Sequence, residues 1–140
     1  MFTLDQLSLF DAAPAVEDLD MPLIYTYTRA QALEDGVLVD VSELAREAGF
    51  VWPVALTAAV WALVEDIPAR YRAWQTVEGR TYDVLWMAYC AIRSATHRDT
   101  ELRYTLLLDH GRRRYLTLKL VTGPGDHGEP VVTIMLLDED

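Results

Sequence analysis

The stretch Leu102-Arg-Tyr-Thr-Leu-Leu-Leu-Asp-His-Gly-Arg-Arg-Arg-Tyr-Leu-Thr-Leu-Lys-Leu120 decides the fold. Leucine or tyrosine fills every second position on both sides of Asp109–Arg113, and this period of two is typical of half-buried strands. The segment between them has the composition of a hairpin turn. A third strand is predicted at Val131–Leu137, after the turn-forming segment Gly123–Gly128. Three sequential strands with short links predict an antiparallel meander that carries helices on one face.

The first two thirds of the sequence predict helices and one or two further strands. The run Val54–Val64 follows a proline and is apolar on every face, which predicts a buried central helix. A second long helix is predicted at Tyr82–Ala95 from its apolar stripe. Leu23–Thr28 and Val37–Val41 resemble short strands, and a short helix is predicted between them. The fold class is therefore α+β, a meander of three C-terminal strands plus one or two N-terminal strands, with two longer helices packed on one face.

Composition and charge set the domain count and the classes of partner. The chain has 140 residues, of which 51% are hydrophobic, which suits one ordinary core. Residues 1–22 contain five acids and no base, so we expect an acidic flexible tail at 1–22 and a single α+β domain at 23–140. The net charge of −10 disfavours direct binding to nucleic acid or to anionic membranes. It favours a protein partner with a basic surface.

The single cysteine, Cys90, excludes an internal disulfide and fits a reducing compartment. No basic segment precedes an apolar run at the N-terminus, and the uncharged stretch Val51–Val64 is shorter than the roughly 20 residues of a membrane span. We therefore expect a cytoplasmic protein with no membrane partner.

Residues that carry chemistry are scattered, and we predict no catalytic residue, no cofactor and no metal site. The three histidines lie far apart in predicted loops, and Asp126 with His127 comes closest to a ligand pair. Cys90 has no base nearby in sequence and is predicted to be a buried thiol. Arg112–Arg114 is interpreted as a solvated turn.

Tyr25, Tyr27 and Arg29, close in sequence to Glu34 and Asp35, could line a polar cleft. This constellation supports an alternative function, a small enzyme that acts on a nucleotide or on DNA. A further alternative is a self-associating structural or antitoxin-like protein.

The tail contains the sharpest motif of the chain, Gln6-Leu7-Ser8-Leu9-Phe10. It resembles the pentapeptide with which bacterial polymerases and repair proteins bind the DNA sliding clamp, and all five positions match the preferred form. The resemblance implies that Leu9 and Phe10 fill an apolar pocket, that Leu7 packs beside them and that Gln6 forms a hydrogen bond at the rim. Three buried apolar side chains, less the cost of ordering the peptide, predict a Kd near the micromolar range, about −8 kcal/mol.

A second interpretation of the tail stays open. Thr3 and Gln6 have the spacing of a capping box, which would start a short amphipathic helix through Leu4, Leu7 and Ser8. Such a helix would pack on the domain and have no connection with a clamp.

The body resembles an uncharacterised family encoded on bacterial plasmids and phages. The resemblance covers residues 23–140 and is carried by Ile24–Gly36, Pro53–Thr57, Tyr82–Trp86 and Gly123–Asp126 with Glu129-Pro130. It implies a mobile genetic element and attaches no activity to any residue. Together with the tail, it predicts a non-enzymatic interaction protein that docks on the sliding clamp. The body would bind or inhibit a host nucleic-acid-handling complex, for example a CRISPR or restriction defence complex.

Overall fold

The computed structural model describes residues 27–96, 100–111 and 113–140. Within these residues lie four α-helices, one short 3-10 helix and five strands. In chain order they are α1 (Arg29–Glu34), β1 (Leu38–Asp40), α2 (Ser42–Ala48), β2 (Val54–Thr57), α3 (Ala58–Glu65), the 3-10 helix (Ala69–Tyr71), α4 (Val77–Ser94), β3 (Glu101–Leu107), β4 (Tyr115–Pro124) and β5 (Pro130–Leu136).

The five strands form one mixed sheet in the order β1-β2-β5-β4-β3. The predicted C-terminal meander is confirmed, because β3 pairs antiparallel with β4 and β4 pairs antiparallel with β5. The expectation of a wholly antiparallel sheet is wrong at β2, which runs parallel to β5 and antiparallel to β1. The α+β class holds, and the N-terminal strand β2 occupies an inner position beside β5.

The predicted helix Val54–Val64 is wrong in its first four residues. Val54–Thr57 form β2, and α3 begins only at Ala58. Val54, Ala55 and Leu56 are at most 1% exposed, because β2 has a neighbouring strand on each side and both of its faces are covered. A strand with these surroundings shows a continuous apolar run, which periodicity cannot distinguish from a buried helix. The side-chain oxygen of Thr57 accepts a hydrogen bond from the Val60 amide at 3.3 Å and caps the start of α3.

One face of the sheet carries the core. Helices α2, α3 and α4 cover this face, so the expectation of the longer helices on one side is confirmed. Strand residues that alternate along the sheet meet fully buried helix residues there. The fully buried members with the largest side chains are Val54, Leu56, Val60, Val64, Val84, Leu85, Leu118, Val132 and Ile134.

Helix α1 reaches the opposite face of the sheet. Arg29, at its start, contacts Thr133, which alternates with the core residues Val132 and Ile134 and so points away from the core. Thr28 and Gln31 form a complete capping box at the start of this helix. The predicted strand Leu23–Thr28 lies mostly outside the described residues, and Thr28 itself serves as the N-cap of α1.

Helix α4 begins at Val77, earlier than its apolar stripe predicts, because Thr76 caps it by accepting from the Gly79 amide. The added turn contains Arg80, whose side chain is only 3% exposed. Its guanidinium donates to the carbonyls of Leu63, Val64 and Asp109 at 2.8–2.9 Å. One side chain thereby joins the end of α3, the start of α4 and the β3–β4 connection.

Among the described helices, none combines the length and the apolar character needed to cross a bilayer.

Candidate functional site

Only some of the predicted site residues are among those that the structure describes. Gln6, Leu7, Ser8, Leu9 and Phe10 lie outside the described residues, and so does Tyr25. Tyr27 and Arg29 are described and make separate contacts. The Tyr27 hydroxyl donates to the Asp35 carboxylate at 2.7 Å, while the guanidinium of Arg29 lies against β5.

Arg29 is held from two directions by the C-terminal part of the chain. Its guanidinium donates to the Thr133 hydroxyl at 2.8 Å and to the Val132 carbonyl at 2.9 Å. The Asp126 carboxylate accepts from the backbone amides of Arg29 and Ala30, at 2.8 and 2.9 Å. These amides belong to the first turn of α1, where backbone N–H groups lack partners within the helix. We call this arrangement the α1 clasp.

The electrostatics of the clasp follow from its geometry. Hydrogen bonds from the Ala30 and Arg29 amides hold the pKa of Asp126 below its usual value, and the nearby His127 and Arg29 side chains act in the same direction. Burial lowers the pKa of Arg29, and the nearby carboxylates of Asp126, Asp40 and Glu129 oppose that shift. An arginine remains charged under such a shift, so the clasp joins a fixed cation to an ionised carboxylate.

The contacts of the clasp are structural. Both oxygens of Asp126 accept backbone amides and thereby hold the first turn of α1. Within the described residues, no group of three or more His, Cys, Asp or Glu side chains could hold a metal ion. The described contacts of Tyr27 and Arg29 run to Asp35 and to β5, and they fix α1 in place.

A second feature, which the sequence analysis missed, is an open groove of about 460 Å³ between the starts of α2 and α4. We call it the α2–α4 groove. Its apolar surface comes from both helices and from the half-buried indole of Trp61 on α3. Its lining residues are Asp40, Val41, Glu43, Leu44, Trp61, Val77, Glu78 and Thr81.

The rim of the groove is acidic. Glu43 and Glu78 are exposed, and each lies in the first turn of its helix. The ion pairs within the described residues join Arg70 to Asp109 and Arg103 to Glu101, so neither rim glutamate takes part in one. The only trace of this acidic rim in the sequence is an acidic residue in the first turn of each helix. Such a residue usually indicates only that it stabilises the helix.

A family model matches residues 18–140 of the chain, with the description of a family of unknown function. The chain belongs to the DUF6573 family. No curated protein and no solved structure matches it. In this DUF6573 member, two segments that carried the sequence resemblance, Ile24–Gly36 and Gly123–Asp126, meet in the α1 clasp. The pentapeptide Gln6–Phe10 precedes the matched region.

The DUF6573 domain also has a hollow of about 810 Å³ where β4 begins and β5 ends. Arg113 and Arg114 flank it, and His110, which is 9% exposed, lies in its wall. Tyr115 at its edge is 65% exposed. Arg112 completes the basic run in the sequence and is not among the described residues.

Proposed function

We propose that this protein is a non-enzymatic interaction protein of a mobile genetic element that docks on the bacterial DNA sliding clamp through Gln6–Phe10. It acts in the cytoplasm, and its acidic body engages a second protein partner with a basic surface. That partner belongs to a host nucleic-acid-handling complex, which the protein binds or inhibits.

The pentapeptide is the observation that carries this proposal. With typical residue frequencies, a chance match of all five positions in a chain of this length is on the order of one in a few thousand. The match to the family begins at residue 18. The peptide therefore lies outside the family region.

The length of chain between the peptide and the body suits this role. From Phe10 to Tyr27 the separation is 27 − 10 = 17 residues, which can reach at most about 55–60 Å when fully extended. A docked peptide thus leaves the body free to contact another protein near the clamp. Tethering of this kind raises the effective concentration of the body at replicating DNA, so a weak second contact suffices.

The net charge of −10 supports a protein partner for the body. Such a charge repels phosphate and is attracted to the basic surfaces with which nucleic-acid-handling proteins hold DNA or RNA.

The direct test is binding of the purified full chain to a bacterial sliding clamp by titration calorimetry. We expect a Kd in the micromolar range, and we expect Leu9→Ala/Phe10→Ala to weaken it by more than about a hundredfold, because two buried anchors of roughly 1.5–3 kcal/mol each are lost. Deletion of residues 1–12 should have the same effect.

Leu4→Ala is the matched control, since Leu4 belongs to the alternative helix and lies outside the pentapeptide. If Leu4→Ala weakens clamp binding as much as the double variant does, the extended docking mode is wrong. If the full chain does not bind the clamp at high micromolar concentration, the proposed function itself is wrong. Light scattering of the free chain at the same concentration tests the self-associating alternative.

A further inference from the structure

We infer that the α2–α4 groove is the docking site for a short arginine-rich segment of a partner protein. This inference rests on the proposed function, because it names the surface and the chemistry by which the body recognises its second partner. The argument uses described residues of the body alone.

The shape of the groove suits one long side chain and its neighbours. Its volume of about 460 Å³ lies within the range of roughly 300–1,000 Å³ found for binding pockets. Val41, Leu44 and Val77 give it an apolar surface. The aliphatic stem of an arginine packs well against such a surface while its charged end stays at the rim.

The aromatic ring in the groove favours a guanidinium. Trp61 is half-buried and lines the groove. Indole is the side chain that binds cations best through its face, and the planar guanidinium stacks on it more readily than a lysine ammonium does.

The charge of the groove favours a cation even after the helix dipoles are included. Asp40, Glu43 and Glu78 contribute three carboxylates, and Asp40 also accepts from the Ser42 amide and hydroxyl. The two helix starts oppose them with about half a positive charge each. The Arg29 guanidinium, which lies near Asp40, adds one more positive charge. The balance, −3 + 1 + 1, is about −1, and neither Glu43 nor Glu78 takes part in a described ion pair.

The surface continues beyond the groove along α4, which fits a segment longer than one residue. Glu78, Tyr82 and Trp86 follow one another at four-residue spacing and therefore share one side of the helix. The rings of Tyr82 and Trp86 are stacked with nearly parallel planes, at an interplanar angle of 7° and with ring centroids 6.4 Å apart. Trp86 is 44% exposed and also stacks on Tyr89, with ring centroids 5.8 Å apart. A second arginine of the same segment would therefore contact the exposed part of the indole that these two rings leave uncovered.

The test uses the full chain and a fluorescein-labelled ten-residue peptide of alternating arginine and glycine, followed by fluorescence anisotropy in 150 mM salt. We expect saturable binding, and we expect Glu43→Gln/Glu78→Gln to weaken it about fivefold to tenfold. The matched control is Glu34→Gln/Asp140→Asn, which removes two exposed charges away from the groove and gives the same net charge of −10 + 2 = −8. The control should change the affinity less than twofold.

A second readout locates the peptide. The chain has four tryptophans, so a nitrogen–proton correlation spectrum shows four indole signals, and Trp61→Phe assigns one of them. We expect the peptide to shift the Trp61 signal most and the Trp86 signal next, with Trp74 unchanged. Circular dichroism of each variant establishes that it is folded.

Three outcomes would overturn the inference: equal weakening by both double variants, no binding of the wild-type chain at 100 µM, or a peptide that leaves the Trp61 signal unchanged. Equal weakening would mean that the net charge of the protein alone accounts for the attraction. None of these outcomes bears on the clamp, because Glu43→Gln/Glu78→Gln should bind the clamp like wild type. Conversely, Leu9→Ala/Phe10→Ala should bind the peptide like wild type, so the two proposals fail separately.

Discussion

Removal of the Arg80 side chain should destabilise the domain more than any exposed substitution. The guanidinium makes three hydrogen bonds to carbonyls at 2.8–2.9 Å, together with longer bonds of 3.1 Å to the Gln75 side chain and 3.4 Å to the Asp66 carbonyl. A bond with a charged donor contributes roughly 1.5–3 kcal/mol, and a carbonyl left buried without a partner costs a similar amount. Water that enters the vacated space restores part of this. We therefore expect Arg80→Ala to lower the free energy of unfolding by about 3–5 kcal/mol.

Urea denaturation at pH 7, followed by far-ultraviolet circular dichroism, measures this loss. With a denaturant slope of about 1.5 kcal/mol per molar, the midpoint should fall by roughly 2–3 M. Arg80→Met separates hydrogen bonding from packing, because methionine fills much of the same space with no donor. Arg72→Ala is the control: Arg72 is exposed and makes one bond, of 3.2 Å, to the Ile67 carbonyl, so its loss should cost less than about 1 kcal/mol.

The reasoning is refuted if Arg80→Ala costs less than about 1 kcal/mol, or if Arg80→Met is as stable as wild type. The second result would mean that the carbonyls of Leu63, Val64 and Asp109 find other partners without loss.

Two further substitutions test the α1 clasp and the contact between α2 and α4. Asp126→Ala should cost about 1 kcal/mol at pH 7, the usual value of a lost helix cap. The pKa of Asp126 is lowered on folding, so its contribution is present above the unfolded value near 3.9 and disappears as the pH falls through the lower, folded value. The difference between the urea midpoints of variant and wild type should therefore shrink as the pH is lowered below about 3.9. A difference that stays constant over this range would contradict the clasp. Gly49→Ala should cost about 2–4 kcal/mol in the same assay, because φ is +121° and the new Cβ would lie 2.7 Å from the Tyr89 ring. Gly111→Ala measures the backbone strain alone, because φ is +91° and the new Cβ would have no other atom within 4 Å. It should therefore cost less than Gly49→Ala. Equal losses would mean that the Tyr89 ring moves aside freely.

The sequence predicted the parts of the fold in which local pattern and tertiary environment agree. Strands β3 and β4 each have one buried face, so their residues alternate, and the hairpin between them follows from Asp109–Arg113. The short helix predicted between Leu23–Thr28 and Val37–Val41 is α1, and Thr28 and Asp35-Gly36 mark its ends in the sequence.

The failures occurred where environment overrides local pattern. β2 is an inner strand, and the sequence Val-Ala-Leu-Thr at 54–57 contains no sign of its parallel pairing with β5, which lies 132 − 54 = 78 residues later. The site was harder to predict for the same reason. The α2–α4 groove combines residues from four elements of the chain, and only the three-dimensional arrangement brings Trp61, Glu43 and Glu78 to the same groove.

The α1 clasp also fixes an order of events during synthesis. The amides of α1 leave the ribosome 97 residues before the carboxylate of Asp126 that accepts their hydrogen bonds. At about 5–20 residues per second, this separation corresponds to roughly 5–20 s. Once β2 has been made, it lacks its parallel neighbour β5 for the rest of that interval, so the apolar residues at 54–56 have β1 as their only strand partner among the described strands. A nascent chain that stalls before Pro130 therefore exposes an open inner strand, the kind of surface that chaperones bind and that promotes aggregation.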